Sequence, residues 1–192
     1  NVGLFDLTAF SKYDLKGKNV HFDLQKLCTA NIKNEPGKTT YTQMLNEDGG
    51  IETDLTVVCL GKEYFRIITS AANRERDKFH IKKHLSQDIN FEDVTDDIAC
   101  FGLFGPKSED LLQKLTKENI SRDNINFASF KKIQIDNIYV IAQRLSYVGE
   151  YGFELYMDIN NSKKIFNLIT DNGKEFNLSL CGMHALDTMR ME

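Results

Sequence analysis

The sequence lacks the features that mark several specialised protein classes. It has only two prolines, Pro36 and Pro106, and no low-complexity linker. No apolar run approaches the roughly 18 residues of a membrane-spanning helix, so no membrane association is expected. The net charge is −4, whereas a nonspecific nucleic-acid-binding protein normally carries a basic surface. We therefore expect neither a membrane nor a nucleic acid as a partner.

Cysteine and histidine give no sign of a disulfide framework or a metal site. The four cysteines are far apart and form no CxxC pair. Buried, reduced thiols are the simplest interpretation, which favours a reducing compartment. His80 and His84 have the i,i+4 spacing of helical zinc ligands, but no third ligand lies nearby in the sequence. The prediction is therefore no metal.

Motifs for nucleotide binding and acyl transfer are also missing. The stretch Gly102–Gly105 lacks the full GxGxxG spacing of a dinucleotide site. Gly37-Lys38-Thr39 is similar to the end of a P-loop, but Ile32 stands where the first glycine of that motif would be. No GxSxG nucleophile motif occurs.

The patterns that are present occur twice in the same order. Each half predicts a strand, a glycine turn and an amphipathic helix, then a hairpin-like stretch, then a closing helix. The segments are Lys12–Leu27, Thr39–Thr69 and Ala72–Leu85 in the first half, and Ala99–Leu115, Phe130–Met157 and Ser162–Phe176 in the second. This order predicts an α+β fold of two related antiparallel-sheet halves, about residues 1–93 and 94–192, with flanking helices and a shared cleft.

Two helices have recognisable ends. Ser108 is the predicted N-cap of a helix whose next two residues, Glu109 and Asp110, favour a first turn. The last segment, Gly182–Glu192, predicts a helix with Ala185, Leu186 and Met189 on its apolar face. That helix stops at Glu192 without a glycine cap or a following proline, so we expect these residues to be part of a longer protein.

The segment Tyr41–Val57 predicts a strand, a turn and a second strand. Asn46–Gly50 is the turn, and alternation follows from Ile51 onward. Asp is disfavoured inside strands, so Asp54 in the middle of an otherwise good strand requires a reason. A second segment, Arg144–Met157, also predicts strand, tight glycine turn and strand, with Glu150 in the turn and Glu154 in the following strand.

Together these segments resemble the glycine cleavage T-protein (aminomethyltransferase) family, and most of all the branch fused to FAD-dependent sarcosine and dimethylglycine dehydrogenases. The resemblance covers nearly the whole chain in ordered blocks: Val2–Gly17, Tyr41–Val57, Phe101–Leu115, Ser146–Tyr156 and Ala185–Glu192. It implies a folate-binding domain that accepts a one-carbon unit on tetrahydrofolate. It also implies a barrel-like domain downstream and, in the dehydrogenase branch, an FAD domain upstream.

The resemblance assigns roles to particular residues. Asp54 matches the acid beside the folate nitrogen that receives the one-carbon unit, and is the predicted catalytic residue. Glu150 matches an acid that accepts hydrogen bonds from the pterin, and Arg190 an arginine that reaches the same region. Tyr41, Met44 and Tyr147 are expected to line the pocket. Without the resemblance, Asp54 is an exposed strand residue, Glu150 a solvated turn residue and Arg190 a helix residue paired with Asp187. Tyr41 and Tyr147 are then ordinary strand tyrosines, and Met44 is a core residue.

The resemblance leaves the donor and the branch open. Standalone aminomethyltransferases usually carry two consecutive acids where this chain has Thr53-Asp54, which favours the dehydrogenase-type branch and a methylated-amine donor. The alternatives are an aminomethyl donor on a lipoyl arm, a sulfonium methyl donor, and a non-catalytic relative that regulates a phosphatase. The family implies bacterial cytoplasm or mitochondrial matrix as the compartment.

Overall fold

Residues 9–96 form one unit of the fold, and residues 1–8 with residues 97–192 form another. The computed structural model describes all 192 residues. We call these the first unit and the second unit. The sequence-based boundary at residue 93 did not anticipate that strand β1 (Val2–Asp6) belongs to the second unit, where it pairs with two strands of that unit's sheet.

The first unit is an antiparallel five-stranded sheet with two helices. Its elements are β2 (Ser11–Lys16), α1 (Val20–Leu27), β3 (Thr39–Leu45), β4 (Ile51–Gly61), β5 (Tyr64–Thr69), α2 (Arg74–His84) and β6 (Asn90–Asp93). The strands lie in the order β3-β4-β5-β2-β6. Alternate residues of the strands and the apolar stripe of α1 form its core, which includes Tyr13, Leu24, Phe65 and Ile67.

The second unit is a six-stranded sheet with three helices. After β1 its elements are β7 (Ile98–Phe104), α3 (Ser108–Leu115), β8 (Phe130–Ile135), β9 (Ile138–Gln143), β10 (Gly152–Asp158), α4 (Ser162–Gly173), β11 (Leu178–Cys181) and α5 (Met183–Met191). The strand order is β11-β1-β7-β10-β9-β8, and the pair β1–β11 is parallel while the others are antiparallel. Leu103, Leu111, Phe153 and Ile165 lie in its core.

The two units repeat one order of elements. Both run strand, helix, three strands, helix, strand, and in both sheets the three consecutive strands are neighbours in order. Even the isolated bridges correspond, because Cys28 pairs with Met44 after α1 and Thr116 pairs with Ile135 after α3. The α+β prediction is confirmed. None of the helices is long and apolar enough to cross a membrane.

The turn between β7 and α3 depends on a glycine, and the helix after it begins at a different residue from the one predicted. Gly105 has φ +125°, and a Cβ there would lie 2.6 Å from the carbonyl oxygen of Asn1. The predicted N-cap Ser108 is instead the first helical residue, and Lys107 precedes it at the cap position. Ser108 is buried and its hydroxyl donates to the carbonyl oxygen of Tyr151, 3.2 Å away. The Ser108 hydroxyl, which the sequence predicts to cap the helix, therefore bonds instead to an acceptor that is distant in the sequence.

The segment Arg144–Met157 is not the predicted hairpin with a tight turn. Strand β9 ends at Gln143, and residues 144–151 form a loop before β10. The Arg144 guanidinium donates to the carbonyl oxygen of Ile125 at 2.8 Å, and Val148 is 5% exposed. These inward contacts hold residues 144–151 in a loop, where the sequence predicts a strand and a tight turn. Glu154 does lie in the following strand, as predicted.

Two further expectations are met only in part. Of the predicted apolar face of α5, Leu186 is buried, whereas Ala185 is exposed and Met189 is partly exposed. All four cysteines are free; three are buried and Cys181 is partly exposed. Burial raises the pKa of Cys28 to about 12, as expected of a thiol in an apolar core.

Candidate functional site

The predicted catalytic Asp54 forms a pair with Tyr41 on the β3–β4 hairpin. The Tyr41 hydroxyl donates to Oδ2 of Asp54 at 2.9 Å, and both residues are exposed, Tyr41 to 57%. In the register Gln43 lies opposite Asp54 and Tyr41 lies opposite Thr56. The two side chains are therefore diagonal neighbours on one face of the sheet, within reach of a long aromatic residue. The structure thus brings together two of the predicted site residues.

The turn that joins β3 and β4 sets this register. Oδ1 of Asn46 accepts hydrogen bonds from the backbone N–H groups of Asp48 and Gly50, at 3.1 and 2.8 Å. Gly49 has φ +80°, a conformation that glycine adopts without cost. An asparagine that caps its own turn in this way fixes the hairpin locally. The predicted turn at residues 46–50 is confirmed.

The core side of β4 explains why Asp54 faces outward. Thr53, Leu55 and Val57 are buried, with at most 5% exposure. Residues on the alternate positions then point to the opposite face. Ile51 departs from the predicted alternation, because it is 69% exposed beside the turn.

Met44 does not line this surface. Its side chain has no exposed area and lies in the core of the first unit. It pairs with Thr53, which faces the core, and not with Asp54. The expectation that Met44 lines a ligand pocket with Asp54 does not fit this position, since adjacent strand residues point to opposite faces.

In the second unit, Tyr147 and Arg190 contact each other. The Arg190 guanidinium donates to the Tyr147 hydroxyl and lies 5.3 Å from the centre of its ring. Tyr147 is 37% exposed, in the loop of residues 144–151, and Arg190 lies on α5. A guanidinium near an aromatic ring also gains cation–π stabilisation. The structure therefore joins two more of the predicted residues, one from a loop and one from a helix.

Glu150 is exposed at the tip of the same loop. The preceding Gly149 has φ +74°, and a Cβ there would meet no atom within 4 Å. The loop tip is thus open on its outer side. These features are consistent with a solvated acid and also with an acid that awaits a ligand.

Glu154 lies on β10, as predicted, and the family resemblance assigns it no role. The Tyr156 hydroxyl donates to Oε2 of Glu154 at 2.5 Å. Burial raises the pKa of Glu154, although the hydrogen bond from Tyr156 opposes that shift. Since perturbed acids concentrate at functional sites, Glu154 is a further candidate acid. In the sequence, the position of Glu154 between the core residues Phe153 and Leu155 is the signal that indicates its burial.

A groove in the second unit lies away from these residues. It has a volume of about 460 Å³, and its lining includes Leu4, Asp6, Phe101, Lys163, Leu180 and Cys181. None of the predicted site residues lines it. No group of three or more His, Cys, Asp or Glu side chains is arranged to hold a metal ion.

Comparison with known proteins gives a consistent result over the whole chain. The family model described as the GCVT N-terminal domain matches residues 1–192. An aminomethyltransferase of Anoxybacillus flavithermus is 34% identical over 99% of this chain and 52% of its own length. A 4-methylaminobutanoate oxidase (formaldehyde-forming) of Paenarthrobacter nicotinovorans is 32% identical over all of this chain but only 23% of its own length.

A solved structure has the same fold. The glycine cleavage system aminomethyltransferase T of Bartonella henselae superposes with a TM-score of 0.84 at 21% identity, over 98% of this chain and 50% of that one. The chain thus spans about half the length of the aminomethyltransferases that it matches. The predicted resemblance to the T-protein family is confirmed.

Proposed function

Because this chain belongs to the GCVT N-terminal domain family, we propose that it is the folate-binding part of an enzyme that transfers a one-carbon unit to tetrahydrofolate. The observation that carries the proposal is the exposed Tyr41–Asp54 pair. An Asp is costly within a strand, and here it stands on an open face with a phenol directed at it. Such a carboxylate is available to a ligand.

Asp54 suits the chemistry of one-carbon transfer. A carboxylate stabilises a cationic nitrogen centre electrostatically and can move a proton, without forming a covalent bond itself. Tyr41 donates to Oδ2. One oxygen is therefore oriented by the protein, and we propose that the other meets an N–H group of the ligand. Tetrahydrofolate, when bound, supplies the nucleophilic nitrogen.

We propose that the second unit recognises the pterin through an acid together with Tyr147 and Arg190. A carboxylate accepts two coplanar hydrogen bonds from an edge that carries N–H groups, and an arginine donates to carbonyl or carboxylate oxygens. Glu150 is the acid implied by the family resemblance, and Glu154, whose pKa is raised by burial, is the alternative. Comparing Glu150→Gln with Glu154→Gln decides between them, since the contacting acid is the one whose replacement weakens binding.

The proposal is tested by calorimetric titration of the 192-residue protein with tetrahydrofolate. We expect saturable binding that Asp54→Asn weakens at least about tenfold, because hydrogen bonds to charged groups are worth about 1.5–3 kcal/mol. The matched control is Asp48→Asn, an exposed acid in the adjacent turn, which should bind like wild type. Absence of saturable binding, or equal affinity in the two variants, would defeat the proposal.

We propose a methylated amine as the donor, with an aminomethyl group as the alternative. A methylated amine is favoured by Thr53 at the position before Asp54 and by the similarity to a 4-methylaminobutanoate oxidase. An aminomethyl donor is favoured by the aminomethyltransferase relatives. In the first case an FAD-bearing part outside these residues would oxidise the amine. Assays of the complete gene product for amine oxidation and for aminomethyl transfer distinguish them. A complete protein without either activity that co-purifies with a phosphatase would instead support a regulatory relative.

A further inference from the structure

The part of β4 that carries Asp54 extends beyond the rest of the sheet. Pairing between β4 and β5 runs from Gly61 to Leu55 and ends there, whereas pairing between β4 and β3 continues to Ile51. Residues 51–54 therefore have a strand neighbour on one side only, and Asp54 is the first residue past the end of β5. A two-stranded hairpin alone is marginally stable in water, so this segment needs support from another element.

Helix α2 supplies that support at two consecutive residues. The Arg76 guanidinium donates to the backbone carbonyl of Glu52. The Thr53 hydroxyl donates to Oδ2 of Asp77 at 3.2 Å. Arg76 and Asp77 also form an ion pair at 3.4 Å, in which the Asp77 side chain is 1% exposed and that of Arg76 is 52% exposed. Helix α2 thus contacts both Glu52 and Thr53, in the part of β4 that β5 does not reach.

We propose that Asp77 is a positioning residue that, through Thr53 and together with Arg76, fixes the strand segment presenting Asp54 to its ligand. This inference rests on the proposed function for the role of Asp54. Thr53 and Asp54 share a peptide unit and project to opposite faces, so a shift of one residue moves the other. The Thr53 hydroxyl also lies 3.2 Å from the carbonyl oxygen of Asp54.

The test compares local with global opening of the ligand-free protein. Thr53→Val removes the hydroxyl with little change of shape, Asp77→Asn removes the charge, and Thr53→Ser keeps the hydroxyl as the matched control. Amide hydrogen exchange is measured by NMR at residues 51–54 and, for comparison, at residues 57–61. We expect exchange at 51–54 to accelerate about tenfold in the first two variants, with 57–61 unchanged, because a hydrogen bond to a charged group is lost locally. Thr53→Ser should retain wild-type exchange.

Two outcomes overturn the proposed positioning. One is unchanged exchange at residues 51–54; the other is equal acceleration at both sets, which would show that Asp77 only stabilises the unit as a whole. Tetrahydrofolate affinity of the same proteins provides the second measurement. We expect Thr53→Val to bind about tenfold more weakly than Thr53→Ser, and equal affinity despite faster exchange would refute a role in ligand presentation. If wild type itself does not bind tetrahydrofolate, the proposed function fails. The exchange data then still show whether Asp77 stabilises residues 51–54 locally.

Discussion

Replacing Met44 by Ala tests whether this residue serves the core or a ligand. Its side chain has no exposed area and lies among buried residues of the first unit such as Leu55 and Phe65. Removal of a fully buried Met side chain costs about 2–5 kcal/mol, from lost transfer free energy and from the cavity left behind. For a protein of this length, each kcal/mol lowers the melting temperature by about 2–4 °C. We therefore expect a melting temperature roughly 4–20 °C lower.

The assay is urea and thermal unfolding of wild type, Met44→Ala and Met44→Leu, followed by circular dichroism. Met44→Leu is the matched control, because a swap that conserves volume usually costs less than about 1.5 kcal/mol. Tetrahydrofolate titrations below the unfolding range should give similar affinities for all three proteins. A stable Met44→Ala protein with strongly weakened folate binding would refute the assignment to the core and restore Met44 to the pocket.

Three more changes have distinct expected results. Asp14 accepts two hydrogen bonds from the guanidinium of Arg66, at 2.6 and 2.9 Å, and both residues are buried; Asp14→Ala should cost about 3–5 kcal/mol in urea unfolding, because it removes the carboxylate that compensates a buried cation. Burial raises the pKa of Glu154, so the folded protein binds more protons than the unfolded chain between the ordinary and the raised pKa, and stability falls as pH rises through that window. Glu154→Gln should therefore flatten this fall and be at least as stable as wild type at neutral pH, as measured by unfolding across pH. Asp54→Val should raise stability by up to about 1 kcal/mol, since Val suits an exposed strand, while it abolishes folate binding in the same titration.

Local patterns in the sequence were sufficient to predict most of the architecture. Alternation through Leu55 and Val57, the turn cluster at residues 46–50 and the glycine before α3 each specify structure within a few residues. The same order of such signals occurs twice, and the structure shows two units built in that order. Predictions of this kind succeed because local preference and tertiary packing agree.

The loop of residues 144–151 was not predictable in the same way. Its sequence predicts a strand and a tight glycine turn, but Arg144 donates to the carbonyl oxygen of Ile125 and Val148 is buried. Ser108 departs for a similar reason, since its hydroxyl finds the carbonyl oxygen of Tyr151. Both differences come from partners that are distant in sequence, and local patterns do not contain them.

The site could be predicted only in part, because the prediction requires knowing which face of a strand each side chain occupies. Family resemblance selected Tyr41, Asp54, Tyr147 and Arg190, and the structure joins them into two contacting pairs. It could not reveal that Met44 faces the core, because a resemblance aligns positions and carries no information about which face a side chain occupies.

The position of Asp54 explains how a strand tolerates an acid that propensity disfavours. Asp is unfavourable where a strand is packed between neighbours, but residues 51–54 have a strand on one side only. The carboxylate is therefore exposed to solvent. We propose that the contacts of α2 with Glu52 and Thr53 hold this segment in place. On that proposal, a site that must be both accessible to a ligand and rigid is built where a sheet loses one strand and a helix takes over its support.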